Sequence, residues 1–189
     1  MCNMAKTYFD LKYGRRIDAI INNKNTSKIS INKNYIKDEL DKQNLDYESC
    51  IEAFNEKYPK YKEYYDLYYN ESRASFFANP DALLKWFKKQ DNRCGYCGVK
   101  QEDLKKLAES RGTLNKPNIT LNGKTKRSKG TLEIEKKDPS QGYTYENCIL
   151  ACPLCNNAKS NLIDENGWCT YFVPSMQNYY ESLLGYKIK

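Results

Sequence analysis

At 189 residues the chain has room for one ordinary domain, or for a compact module with a helical extension. Hydrophobic residues make up 40%, enough for a core, but no apolar run reaches the roughly eighteen residues a membrane span needs. The net charge is +7 and histidine is absent, which excludes any chemistry that runs through an imidazole.

Met1 to Asp10 has no apolar stretch of the kind a signal peptide carries. A reducing cytoplasm is therefore the expected setting, and there eight cysteines serve as thiols and metal ligands rather than disulfides. The basic excess is spread over both halves and suits a polyanionic partner. The Asn, Lys, Ile and Tyr bias is equally what an AT-rich genome produces.

Residues 1–89 read as a helical region. Asp46 is placed to cap a helix with Cys50, Ile51 and Phe54 on its inner face, ending near Tyr58-Pro59. Tyr61, Tyr64, Tyr65 and Tyr68 follow at helical spacing, a stripe better suited to a core than to stacking on a ligand. Asn79-Pro80 opens a further helix that presents Leu83, Trp86 and Phe87. Residues 22–34 form the expected mobile loop. The region's expected work is DNA reading, partner docking or dimerisation.

The texture changes at Arg93. Cys94-Gly95-Tyr96-Cys97-Gly98 is a tight knuckle, followed by a short helix with Leu104, Leu107 and Ala108 on one side. The stretch from Arg111 to Gly130 carries Arg111, Lys116, Lys124, Lys126, Arg127 and Lys129 with no acidic residue. Thr131 to Glu135 reads as a strand, Ser140 to Tyr143 as a turn, and Asn147 to Ala151 as a second strand that includes Cys148. A second pair, Cys152 and Cys155, opens a helix carrying Ala158 and Leu162, and a last helix follows Pro174 and stops at Gly185. Two Cys-x-x-Cys pairs make a structural zinc site from Cys94, Cys97, Cys152 and Cys155. The 54 residues between the pairs exceed a zinc ribbon and leave room for a working hairpin. Cys2, Cys50 and Cys169 are left as ordinary thiols.

The joint order of Leu132-Glu133-Ile134-Glu135-Lys136-Lys137-Asp138-Pro139, Gly142 to Asn147, and Cys152-Pro153-Leu154-Cys155-Asn156-Asn157-Ala158-Lys159 resembles the HNH, or ββα-metal, endonuclease family in its zinc-stabilised form. With the first knuckle the resemblance covers residues 90–165. It implies an α+β, mostly α chain: a helical region (1–89), a zinc-stapled HNH module (90–165), and a C-terminal segment and helix (166–189) packed on its core.

The resemblance also implies a metal-dependent DNA endonuclease that hydrolyses phosphodiesters, with restriction, phage or defence as the setting by analogy. Glu135 and Asn156 align with the family's ligands for a divalent ion, Mg²⁺ or Mn²⁺. Lys136 stands where the family has its catalytic histidine, and an ammonium with an ordinary pKa of about 10.4 is a clamp for phosphate rather than a base. Asp138 is then the first choice for proton acceptor, with Tyr143 and Tyr145 next. Asn147 ties the inter-strand loop to itself, Lys159 meets a phosphate, and the six cations of the 111–129 loop grip the DNA backbone without reading sequence. Cutting both strands would call for a homodimer, and RNA is the less expected substrate. The rival readings are a catalytically inactive zinc-stapled module that only binds nucleic acid, and an RNase.

Overall fold

The computed structural model describes residues 2–109 and 130–188, with side chains from Met4 onward. The chain divides into two compact units, Met1–Trp86 and Phe87–Lys189.

The first unit is helical. Helix α1 (Cys2–Phe9) passes through a widened turn at Asp10–Gly14 into α2 (Arg15–Ile21). Then come α3 (Lys33–Asp41), α4 (Tyr47–Lys57), α5 (Tyr61–Tyr68), the short α6 (Ala74–Phe77) and most of α7 (Pro80–Gln90). Side-chain caps set where these helices begin. Asn32 accepts from the Tyr35 amide at 2.8 Å, Asp46 from Ser49 at 2.8 Å, and Asn79 from Ala82 at 3.0 Å. The core is built from rings. Phe9, Tyr13, Phe54 and Phe77 are buried around a Tyr61 with no exposed surface, whose hydroxyl donates to the Phe77 carbonyl at 2.8 Å, and Tyr8 packs on Phe54. Tyr61 and Tyr68 of the tyrosine stripe are both buried, so the stripe belongs to the core.

The second unit opens with a knuckle, Arg93 to Lys100, closed by a bridge between its ends. Helix α8 (Gln101–Glu109) follows and buries Leu104 and Leu107. Strands β1 (Glu133–Lys136) and β2 (Cys148–Ala151) pair antiparallel, with Glu133 opposite Ala151 and Lys136 opposite Cys148. Gln101 aims the chain into β1: its side chain donates to the Gly130 carbonyl and accepts from the Leu132 amide at 2.8 Å. Only glycine fits at position 130, where φ is +69° and an added Cβ would meet the Leu104 carbonyl oxygen at 2.3 Å.

Helix α9 (Pro153–Lys159) has proline in its first turn, and Cys152 caps it by accepting the Cys155 amide at 3.3 Å. It ends at Ser160, which has φ of +47°. The expected apolar face of Ala158 and Leu162 does not form. Leu162 lies beyond the helix and is 91% exposed, while Lys159 is buried. Helix α10 (Glu165–Gly167), a widened turn (Trp168–Phe172) and α11 (Val173–Leu184) complete the unit. Helix α11 packs against α8 and α9 and stops at Gly185, in the left-handed region. Among the described residues no helix is long and apolar enough to cross a membrane.

Candidate metal centre and active site

The four cysteines converge. The Sγ atoms of Cys94, Cys97, Cys152 and Cys155 lie within 4.8 Å of one another, all buried, and Cys97 Sγ to Cys152 Sγ is 3.8 Å. A tetrahedral zinc with bonds of about 2.3 Å requires sulfur–sulfur edges of roughly 3.8 Å. The first pair is set by backbone bonds. The Cys94 amide donates to Val99 at 2.8 Å, Gly98 donates to Cys94 at 2.9 Å, and Gly95 donates to Leu150 of β2 at 2.7 Å. The last bond explains Gly95, since a Cβ there would meet Ile149 Cδ1 at 2.1 Å.

The thiols cannot all ionise side by side. Against the upward pull of burial, hydrogen bonds from Cys152, Cys155 and Cys97 hold Cys94 well below the ordinary thiol range. Hydrogen bonding with Cys152 drives both Cys97 and Cys155 up. A soft divalent cation resolves that conflict by replacing the shared protons, so the donor set fits the metal. Tyr180 of α11 adds a hydrogen bond to Cys152, and its own pKa is raised, first by burial. The sequence offers Tyr180 as a buried residue of the last helix, but its place beside the cysteines, 25 residues beyond Cys155, has no local signal.

A second polar cluster lies between β1 and α9. Glu133 and Glu135 share one face of the strand. Lys159, with no exposed side-chain surface, places its ammonium 3.5 Å from a Glu135 oxygen and donates to the Lys136 carbonyl at 3.3 Å. Burial raises the Glu135 pKa, and the charge of Lys159 opposes that rise. Asn156 donates its amide nitrogen to Glu133. The expected pair of Glu135 and Asn156 therefore lies at one strand–helix junction, each cross-linked to a different partner. Sequence reasoning passed over Glu133. Its spacing of two from Glu135 was the available signal.

The loop between the strands is held by Asn147, which is only 6% exposed. Its side-chain nitrogen donates to the Asp138 and Gly142 carbonyls, both at 3.0 Å, and its oxygen accepts the Asp138 amide at 3.0 Å. Asp138 caps the same loop: it accepts from Ser140 N at 2.9 Å, Ser140 Oγ at 2.6 Å and Gln141 Nε2 at 2.8 Å. These bonds, Ser140 Oγ foremost, lower its pKa. As a proton acceptor it is weaker than an ordinary carboxylate, and its evident work is in the turn. Lys136 donates to the Pro139 carbonyl at 2.6 Å and lies 5.6 Å from the centre of the Tyr143 ring. Arg111, Lys116, Lys124, Lys126, Arg127 and Lys129 lie outside the described residues.

The second strand of the hairpin runs through a cysteine knuckle into a short helix, a strand–strand–helix arrangement beside the four-cysteine cluster. Residues 134–162 match the family model of the HNH endonuclease. No curated protein and no solved structure matches the chain.

Proposed function

We propose that the chain is a divalent-metal-dependent DNA endonuclease of the cytoplasm, stapled by a structural zinc on Cys94, Cys97, Cys152 and Cys155. The observation that carries the reading is the junction of β1 and α9 inside the HNH stretch, where Glu135 and Asn156 offer hard oxygen donors beside a closed cysteine cluster. Glu135 and Asn156 would hold Mg²⁺ or Mn²⁺. When bound, such an ion supplies neutralisation of charge on the scissile phosphate and the leaving 3′-oxygen.

The protein's own groups do the rest. Asn147 fixes the loop so that Lys136 stands at the strand end. One of the three N–H bonds of Lys136 is given to Pro139, and among the described residues the other two make no hydrogen bond and would serve a phosphate oxygen. The charge of Lys159 opposes the rise that burial imposes on the part-buried Glu135 and so favours its anionic, cation-binding form. The cations at 111–129 add salt-sensitive grip on the DNA backbone. A restriction, phage or defence setting follows by analogy alone, and scission of both strands would bring two copies together.

The second reading is a zinc-stapled binder that does not cut. The absence of histidine and the engagement of Lys136 by Pro139 favour it. Incubating the purified protein with supercoiled DNA, single-stranded DNA and RNA, each with Mg²⁺ or Mn²⁺, separates the readings. DNA cleavage that disappears in Asn156→Ala supports the endonuclease. Retarded bands without cutting on every substrate support the binder, and cutting of RNA alone supports an RNase.

A further inference from the structure

Two polar cross-links tie α9 to one face of β1. Strand periodicity puts Glu133 and Glu135 on that face, and Asn156 and Lys159, three apart, share one side of the helix. Lys159 reaches Glu135, and the amide nitrogen of Asn156 donates to Glu133.

The two cross-links differ in kind. An ammonium is the same from every side, but a primary amide has a donating end and an accepting end. A carboxylate offers acceptors only, so Glu133 admits one orientation of the Asn156 amide, with nitrogen toward the strand. The oxygen is then the end left for another partner, and it accepts no hydrogen bond among the described residues. A hard cation binds an amide through oxygen alone. Turned over, the same amide would direct two N–H bonds at the ion and repel it.

We propose that Glu133 is a positioning residue that selects the cation-binding orientation of the Asn156 amide, an inference that rests on the divalent-ion site of the proposed function. Glu133 need not touch the ion. It acts through Asn156, as outer partners commonly orient the groups that ligate metals.

Full-length, zinc-loaded protein titrated with Mn²⁺, with the free ion followed by electron paramagnetic resonance, tests this directly. Glutamine at position 133 can donate as well as accept and no longer selects one amide orientation. Glu133→Gln is expected to weaken Mn²⁺ binding by about tenfold, with an unchanged melting temperature. Adding Asn156→Asp to that variant is expected to restore affinity, because a carboxylate has no wrong end. A packing role for Glu133 would show no such rescue. Wild-type affinity in Glu133→Gln, or failure of the double variant to recover, overturns the proposal.

Glu135→Ala in the same titration tells which reading has failed. If it abolishes Mn²⁺ binding while Glu133→Gln binds as wild type, only the positioning role falls. If it leaves binding unchanged, the divalent-ion site falls and the positioning role with it.

Discussion

The Lys159 ammonium, sealed from solvent, lies 3.5 Å from the Glu135 carboxylate, whose side chain is 14% exposed. Taking two charges out of water is costly, and breaking such a pair from one side leaves the other charge stranded. Lys159→Met is therefore expected to destabilise the protein by about 3 kcal/mol. Lys159→Met combined with Glu135→Leu should recover most of that loss. Urea unfolding of the two variants checks both values, and equal stability of the single and double variants would show that the pair is not coupled.

The Asn147 side chain satisfies three backbone groups of the inter-strand loop. Asn147→Ala leaves them unpaired in a part-buried setting and should cost about 1–2 kcal/mol. Asn147→Asp should cost at least as much, since it turns an oxygen toward the Asp138 and Gly142 carbonyls. Thermal melts of the two variants against wild type measure the order.

These two neighbours show where the sequence was legible. Asn147 was expected to lace the loop, and it does, because an Asn after a tight turn has few other partners within reach. The caps at Asp46 and Asn79, the cysteine knuckles and the stop at Gly185 were equally readable, since each depends on residues close in the chain. Lys159 was expected at a phosphate and lies buried against Glu135, and the Glu133–Asn156 bond was not foreseen at all. Both depend on how α9 is rotated over β1. Residues 152–159 alone do not set that rotation; the cysteine cluster and the packing of α11 do.

Gly95 is wedged beside Ile149, with 2.1 Å between a hypothetical Cβ and Ile149 Cδ1. Gly95→Ala should push that side chain out of its rotamer, cost roughly 1–3 kcal/mol and weaken zinc retention. The obstacle is a side chain rather than backbone, so Ile149→Ala in the same chain should relieve most of the effect. Zinc release to a colorimetric chelator, compared across wild type and the two variants, reads the outcome.

Acid should loosen the protein through Asp46 and Asp138, whose pKa values are lowered chiefly by hydrogen bonds from Ser49 and Ser140. A depressed carboxylate contributes stability above its unfolded pKa, about 3.9, and loses it as pH falls through the lower folded value. The melting temperature should thus decline below about pH 4, and Asp46→Asn with Asp138→Asn should flatten that decline. A decline of unchanged slope in the double variant would remove these two residues from the acid transition.

Zinc removal should unfold the second unit, where Trp168 is 1% exposed. In a Trp86→Phe background Trp168 is the sole tryptophan, and a strong chelator is expected to shift its emission to the red. Emission that stays put once zinc has gone would show that the cluster is not what holds the unit together.

The most direct measurement is relaxation of supercoiled plasmid by zinc-loaded protein in Mg²⁺ or Mn²⁺, run beside Glu135→Ala with its fold verified. Nicked or linear product is expected only when the divalent ion is added, and none from the variant. Plasmid bound but left intact under every ion, or cut equally well by Glu135→Ala, would contradict the endonuclease reading.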